Sequence, residues 1–309
     1  MKNSSNTDFT TKIGSVVLPN PVMTASGTSG QGAELSRYFD LSSLGAVVVK
    51  SLHVKPWSGN PSPRLHPTSA GMINSVGLQG PGVKEWLKTD LPLLEKTGAR
   101  VVVSIWGQTI EEFAQAAELL TDASDTVIAV EVNASCPNVE DRTNLFAHSA
   151  VATSEVVKAS LVSGRPCWAK LSSNTPYLPE IARAAKEAGA EAVTVANTLL
   201  GMAINTDTRK PVLGAVRGGV SGPAIKPIAL RSVFDTYAEN PELPIIGVGG
   251  ISTGKDVSEF LMAGATAIQI GTATFANPRA PQKILKGFSK WCKDQGLDQV
   301  NKLIGVAHG

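Results

Sequence analysis

Eight short, nearly continuous apolar runs recur along the chain, and they constrain its fold more than any other feature. Runs of this kind are typical of parallel strands that are buried on both faces of a sheet. They are Val22–Ala25, Ala46–Lys50, Val101–Ile105, Val127–Val132, Cys167–Leu171, Ala192–Ala196, Ile245–Val248 and Ala267–Ile270. The sequence therefore predicts an α/β fold built on eight buried parallel strands.

Helix-like segments separate these runs. Thr109–Leu120 opens with a capping residue and has two glutamates in its first turn, Pro179–Ala188 begins with proline, and Lys255–Ala263 is followed by glycine. These are the usual signals of helix starts and ends. Eight such units favour a (β/α)8 TIM barrel. A doubly wound open sheet is the runner-up, but Ala25–Gly30 does not fit the G-x-G-x-x-G turn that such a sheet normally carries after its first strand.

Length and composition fit one domain, residues 1–309, with no long linker or low-complexity tract. The net charge of +2 implies no bulk attraction to nucleic acid or to an acidic membrane. The apolar runs are too short to cross a bilayer, and Met1–Thr11 carries no targeting signal. Three scattered cysteines predict a reducing cytoplasm, and no Cys/His cluster has metal-ligand spacing.

Three further segments lie outside the repeating units. Thr11–Val17 and Leu18–Pro21 predict a short N-terminal hairpin that closes the bottom of the barrel. Long Pro/Gly-rich insertions, Val54–Gly82 and Thr198–Ala224, follow the second and the sixth run. In a barrel these insertions would rise above the C-terminal face, where active sites are built.

Polar and glycine residues stand at the C-terminal ends of the apolar runs. Buried lysines and asparagines are costly unless they meet polar partners, and a ligand is the simplest partner. The alternative is that each lysine extends from the barrel mouth to a carboxylate. This alternative explains a single lysine well, but it does not explain the whole set of polar residues. The set is Ala25, Ser26, Gly27, Lys50, Ser51, Asn133, Lys170, Asn197, Thr198, Gly249, Gly250, Gly271 and Thr272.

The last two strand ends point to a phosphate. Gly249-Gly250 follows the seventh run and Gly271-Thr272 follows the eighth. In barrels the backbone N–H groups at these two positions often hold a phosphate group. Glycine pairs also make ordinary turns, but the two together predict a phosphate-bearing cofactor.

Cys136 lies in the run Asn133–Asn138, directly after the fourth apolar run. A thiol can accept a proton where its surroundings favour the thiolate, and asparagine can read imide and amide edges with a donor and an acceptor. The cluster suggests a site that removes a proton from a small ring rich in C=O and N–H groups. The alternative is an inert buried thiol among turn-forming residues.

Taken in order, stretches along nearly the whole chain resemble the dihydroorotate dehydrogenases, FMN-dependent enzymes of pyrimidine (UMP) biosynthesis. The cysteine at 136 is similar to that of the soluble class 1, and Gly77–Gln79 with Ser221–Pro227 most resembles its NAD-linked subgroup, 1B. The matching stretches are Asn20-Pro21, Ala25–Thr28, Lys50-Ser51, Gly59–Arg64, Asn74–Gln79, Asn133–Asn138, Lys170–Ser172, Asn197-Thr198, Gly219–Ala224, Gly249–Ile251 and Gly271-Thr272.

The resemblance implies that dihydroorotate is oxidised to orotate, with Cys136 as the base and hydride transfer to flavin N5. It also implies a homodimer and, in subgroup 1B, a partner subunit with FAD and a [2Fe–2S] cluster. The implied substrate-binding residues are Lys50, Asn74, Gly77, Leu78, Asn133, Asn138, Asn197 and Thr198. The implied FMN-binding residues are Ala25, Ser26, Lys50, Ser51, Asn133, Lys170, Gly222, Gly249, Gly250, Gly271 and Thr272.

Two other functions remain open at this stage. One is another FMN barrel oxidoreductase acting on a pyrimidine ring, such as a dihydropyrimidine dehydrogenase-like protein, although the cysteine clusters usual there are absent. The other is a non-catalytic flavin-binding subunit. Trp106 is unusual for the family, and it either packs against the barrel or flanks the flavin ring.

Overall fold

The computed structural model describes residues 7–135 and 145–309. Its strands are β1 (Thr11–Ile13), β2 (Val16–Leu18), β3 (Val22–Thr24), β4 (Val47–Val48), β5 (Leu65–Thr68), β6 (Gly71–Asn74), β7 (Val101–Ile105), β8 (Val127–Asn133), β9 (Cys167–Lys170), β10 (Ala192–Val195), β11 (Leu199–Gly201), β12 (Ile204–Asn205), β13 (Lys210–Pro211), β14 (Gly218–Ser221), β15 (Ile245–Val248) and β16 (Ala267–Ile270). Its α-helices are α1 (Val83–Thr89), α2 (Leu91–Glu95), α3 (Ile110–Glu118), α4 (Ala150–Ser160), α5 (Leu178–Glu187), α6 (Lys226–Glu239), α7 (Gly254–Met262), α8 (Ala273–Ala276) and α9 (Ala280–Gln295).

Eight parallel strands form the central sheet, in the order β3-β16-β15-β10-β9-β8-β7-β4. A parallel bridge between Met23 and Ala46 joins the two outer strands and closes the sheet on itself. Each predicted apolar run contains one of these strands, except that β8 extends one residue beyond its run, to Asn133. The prediction of a (β/α)8 barrel is therefore confirmed, and the doubly wound alternative is wrong.

The three predicted helices form within one or two residues of their expected bounds, as α3, α5 and α7. Thr109 precedes α3, and its side chain accepts a hydrogen bond from the backbone N–H of Glu112. Thr253 and Asp256 form a reciprocal capping box at the start of α7. These caps satisfy backbone donors that a helix leaves without intrahelical partners.

The N-terminal hairpin closes the bottom of the barrel, as predicted. Strands β1 and β2 pair antiparallel, but they are shorter than expected, and the turn falls at Gly14 and Ser15 because Gly14 takes a left-handed φ of 58°. Ile13 and Leu18 are fully buried and join one apolar cluster with the lower barrel interior. The other members of that cluster are Val16, Met23, Ala46, Val48, Val102, Ala129, Trp168, Ala192, Ile246 and Ala267.

The two long insertions meet above the barrel. They supply a four-stranded antiparallel sheet in the order β11-β14-β6-β5, and the β6–β14 pairing joins one insertion to the other. This sheet, the insertion sheet, was not predicted, because Pro/Gly-rich sequence is typical of loops rather than strands. Among residues 7–135 and 145–309, no helix is long and apolar enough to span a bilayer.

We predict that Leu18→Ala lowers the free energy of unfolding by about 2–5 kcal/mol, the usual loss for a fully buried leucine. Val17→Ala is the matched control, because Val17 lies on the same strand but is 59% exposed. We expect the control to stay within about 0.5 kcal/mol of the wild type. Denaturant unfolding compares the three proteins, and equal losses in both variants would show that the hairpin does not close the core.

Candidate active site

A cavity of about 1130 Å³ opens at the C-terminal ends of the barrel strands, beneath the insertion sheet. Every predicted site residue that the structure describes lines it. From the barrel these are Ala25, Ser26, Lys50, Ser51, Asn133, Lys170, Asn197, Thr198, Gly249, Gly250, Gly271 and Thr272, and from the insertions Asn74, Gly77, Leu78 and Gly222. Cys136 and Asn138 lie outside the described residues.

A chain of hydrogen bonds fixes the amides on one wall of the cavity. The amide nitrogen of Asn133 donates to the Ser51 hydroxyl at 3.3 Å, and that hydroxyl lies 2.9 Å from the hydroxyl of Ser104. Asn197 donates to the Oδ1 atom of Asn133 at 3.2 Å and accepts from the backbone N–H of Thr198 at 2.8 Å. The donor and acceptor atoms of both amides are therefore held in one orientation.

The insertion sheet brings a third amide to the same cavity. Asn74, at the end of β6, donates to the backbone carbonyl of Gly219 on β14 at 3.3 Å. Gly77 and Leu78 follow with φ values of 73° and 60°. Leucine rarely adopts this left-handed conformation, so the surrounding loop holds the backbone in a specific turn beside the cavity.

Three glycines that line the cavity cannot be replaced without a clash. Gly222, Gly249 and Gly250 have φ values of 100°, 136° and 73°. A Cβ atom on Gly249 would lie 2.6 Å from the Cβ atom of Ala229, and one on Gly250 would lie 2.9 Å from the carbonyl oxygen of Gly222. These glycines pack closely against neighbouring backbone and side chains, and their N–H groups could hold a phosphate, so we call them the cradle.

Side chains behind the cradle hold it in place. The Asp256 carboxylate accepts from the backbone N–H groups of Ser252 and Thr253, each at 2.8 Å, and from Lys226 Nζ at 2.7 Å. Burial raises the pKa of the Asp256 carboxyl, but these hydrogen bonds and the charge of Lys226 outweigh burial, so its pKa lies below the ordinary value. Asp256 thereby ties the segment after Gly250 to the starts of both α6 and α7.

A buried acid that the sequence analysis missed lies below the cavity. Glu131 is fully buried on β8, and its Oε1 atom lies 3.7 Å from Nζ of Lys170. Lys170 also donates to the hydroxyl of Ser26 at 3.1 Å. Glu131 lies inside the fourth apolar run, and its signal in the sequence is a lone charge two residues before Asn133, on the same face of the strand.

Trp106 packs against the barrel and does not line the cavity. It lies 4.7 Å from His53 and 5.3 Å from Trp57 between ring centroids. The imidazole Nε2 atom of His53 is 3.2 Å from Glu112. Burial raises the pKa of Glu112, but hydrogen bonds from the Gln108 backbone and from His53 outweigh it, so the pKa of this carboxyl is lowered. Of the two interpretations of Trp106, packing is the correct one.

Other cavity-lining residues were not predicted as site residues. Asn174 donates to the Thr198 carbonyl at 3.1 Å and accepts from the Leu200 backbone N–H at 3.0 Å, which ties β11 to the barrel mouth. Nothing in the sequence distinguished it from a turn-forming asparagine. The others of interest are Asn60, Ser172, Arg217, Gly219, Phe275 and Lys283.

The two described cysteines have no role in the cavity. Burial, with a smaller effect of the Glu191 charge, raises the pKa of Cys167 to about 12. Burial raises the pKa of Cys292 to about 11. Both thiols are thus protonated at neutral pH. The described parts of the chain also contain no group of three residues that could hold a metal ion.

The fold and the cavity define a TIM-barrel enzyme with its site at the C-terminal ends of the strands. The chain matches the dihydroorotate dehydrogenase family over residues 9–291. The "Dihydroorotate dehydrogenase B (NAD(+)), catalytic subunit" of Desulforamulus reducens is 47% identical over 300 residues, covering 96% of this chain and 97% of that protein. The protein of the same name from Alkaliphilus oremlandii is 46% identical over 294 residues, covering 95% and 96%. The chain belongs to the dihydroorotate dehydrogenase family, and the resemblance seen in the sequence is confirmed.

We predict that Asp256→Asn lowers the free energy of unfolding by about 1–3 kcal/mol, because it removes the charge that pairs with Lys226 and replaces one of the two acceptor oxygens with an NH2 group. Since the carboxyl pKa is lowered in the folded protein, its stabilisation is full above the ordinary value of 3.8. It is lost as the pH falls through the lower folded-state pKa. Thermal unfolding at pH 7 and at successively lower pH measures both effects.

Glu259→Gln is the matched control for this prediction. Glu259 also pairs with Lys226, at 2.9 Å, but its side chain is 45% exposed and it caps nothing. We expect it to cost no more than about 1 kcal/mol. A control as unstable as Asp256→Asn would contradict the assignment of Asp256 as the residue that secures the cradle.

Proposed function

We propose that this chain, as one domain over residues 1–309, catalyses the FMN-dependent oxidation of dihydroorotate to orotate in UMP biosynthesis. The observation that carries the proposal is the convergence of the described predicted site residues on one cavity. The family match and the names of the relatives support the same reaction. The cysteine usage of the chain favours a cytoplasmic location.

The chemistry of the cavity fits FMN. The cradle of Gly222, Gly249 and Gly250, with Gly271 and Thr272 on the next strand end, suits the phosphate. Lys170 lines the cavity and suits the electron-rich edge of the flavin ring. The proposed cofactor-binding residues are Ala25, Ser26, Lys50, Ser51, Asn133, Lys170, Gly222, Gly249, Gly250, Gly271 and Thr272.

The amide-rich wall suits a ring that carries both imide N–H and C=O groups. Asparagine presents one donor and one acceptor to such edges, and the hydrogen bonds described above fix which atom faces which way. Lys50 supplies a positive charge for the substrate carboxylate. The proposed substrate-binding residues are Lys50, Asn74, Gly77, Leu78, Asn133, Asn138, Asn197 and Thr198.

In the proposed mechanism, Cys136 removes the proton from ring C5 of dihydroorotate. FMN held in the cavity would supply the acceptor for the hydride that leaves C6. The asparagines hold the ring in the orientation in which both bonds can break, which is the contribution expected of positioning residues. Lys170 offsets negative charge at the edge of the cofactor.

The reaction also needs an acceptor for the electrons. The relatives are named catalytic subunits of an NAD(+) enzyme, which supports a second, electron-transfer subunit. We propose that this subunit carries FAD and a [2Fe–2S] cluster, as the 1B resemblance implies. We further propose a homodimer.

We predict that Cys136→Ala retains FMN but slows its reduction by dihydroorotate by about 10²–10⁴-fold, the usual contribution of a general base. Anaerobic mixing, followed by the flavin absorbance near about 450 nm, measures the rate. Cys292→Ala, which removes a thiol remote from the cavity, should bleach at the wild-type rate. An unimpaired rate in Cys136→Ala would reject the base assignment. A yellow wild-type protein that dihydroorotate does not bleach would reject the substrate.

We predict that Lys170→Ala weakens FMN binding or hinders its reduction, because the variant loses a cation at the cavity wall. Fluorescence titration of the apoprotein with FMN gives the dissociation constant, and anaerobic mixing gives the reduction rate. Wild-type values for both quantities would reject the proposed role of Lys170.

A further inference from the structure

We propose that Glu131 is a positioning residue that acts through Lys170. It holds the ammonium group in place at the wall of the cofactor cavity and offsets its charge, so that bound FMN has a lower midpoint potential than Lys170 alone would give it. This inference rests on the proposed function, because it assumes that FMN is the cofactor.

The first observation is the burial of the acid itself. Glu131 has no exposed surface, and it lies on β8 in the barrel interior, two residues before the cavity-lining Asn133. An isolated carboxylate in such a place is strongly unfavourable unless it is paired and hydrogen bonded. Its partners therefore determine what it does.

The two carboxylate oxygens have different partners. Oε2 accepts from the amide nitrogen of Gln269 at 2.6 Å and from the hydroxyl of Thr194 at 3.1 Å. Within the described residues Oε1 has no hydrogen bond, and it lies 3.7 Å from Nζ of Lys170. Neutral donors thus anchor one oxygen, while the other faces the ammonium group.

These contacts fix the acid from several strands at once. Gln269 is on β16, Thr194 on β10 and Lys170 on β9, so rotation of the carboxylate away from the lysine would break hydrogen bonds to two other strands. On its other side, Lys170 donates to Ser26 at 3.1 Å, just after β3. The ammonium group is therefore held between Glu131 and Ser26.

The negative charge of Glu131 matters because the described ionisable side chains around the cavity are positively charged. Among the described residues that line the cavity, the ionisable side chains are all cationic, namely Lys50, Lys170, Arg217 and Lys283. Glu131 lies below that lining and pairs with one of these cations, Lys170. Charges separated by a few ångströms in a buried site interact much more strongly than in water. Loss of the negative charge would make the cavity more positive and favour the electron-rich, reduced cofactor.

Glu131→Gln tests this inference, because glutamine keeps the shape and an acceptor for Gln269 and Thr194 but removes the charge. We expect FMN to remain bound, and the equilibrium constant for its two-electron reduction to rise by about tenfold, which corresponds to about +30 mV in midpoint potential. Dye-coupled titration with dithionite measures the potential without dihydroorotate. The result therefore stands apart from the substrate assignment.

Thr194→Val is the matched control. It removes a neutral donor to the same carboxylate but leaves both charges in place, so we expect its potential to equal that of the wild type. A purely structural role for Glu131 would shift neither potential, or both equally, and either of these results would overturn the proposal.

A double-mutant cycle tests whether the charges of Glu131 and Lys170 are coupled, even if Glu131→Gln binds no FMN. Lys170→Met alone leaves Glu131 without its counter-charge, whereas the double variant Glu131→Gln/Lys170→Met is neutral. We expect the double variant of the apoprotein to unfold at a higher temperature than Lys170→Met alone. Equal changes in unfolding temperature on Glu131→Gln in the wild-type and Lys170→Met backgrounds would show that the two charges are not coupled, and the proposal would then be wrong.

Discussion

Closure of the eight-stranded parallel sheet directs every second side chain of its strands into a shared interior. The site depends on which side chains fill that interior. The lower part is apolar, with Trp168 accommodated among small residues such as Ala129 and Ala192, and the hairpin residue Leu18 seals it. Two residues above Ala129 on β8, Glu131 begins the polar part. Hydrogen bonds from β10 and β16 satisfy one carboxylate oxygen of Glu131 there, and above it the side chains reach the cavity. The residues that stabilise the fold thus lie in the lower part of the barrel, and the residues that line the cavity lie in its upper part.

The polar upper part of the barrel is ordered because its amide side chains are hydrogen bonded to neighbouring groups. The amides of Asn133 and Asn197 are linked to each other and to Ser51, so each amide orientation is set by its neighbour rather than by the substrate. The insertion sheet serves the same purpose from above, since the pairing of β6 with β14 places Asn74 opposite the carbonyl of Gly219. A preorganised site of this kind needs little rearrangement when a planar ring binds.

The parts of this structure that sequence reasoning predicted are those governed by local chemistry. Apolar runs such as Ile245–Val248 identify buried strands, and the polar residues that end them must face a common edge once the strands are parallel. The insertion sheet was missed because its pairings, between residues far apart in sequence, carry no local signal. Glu131 and Gln269 were missed for another reason. A single polar residue hardly changes the mean hydropathy of a run, yet its position on the inward face decides its effect.

The presence of an ion pair at this depth is difficult to explain by stability. Replacing a buried pair such as Glu131–Lys170 with apolar residues of similar volume is often neutral or stabilising, because desolvation offsets most of the attraction between the charges. Lys170 alone could contact a cofactor, but its charge would then act in full on whatever binds there. With Glu131 held by Thr194 and Gln269, the same lysine keeps its hydrogen-bonding capacity while part of its field is cancelled. A redox cofactor must be able to release electrons as well as accept them, and a weakened positive field suits that requirement better than an uncompensated charge.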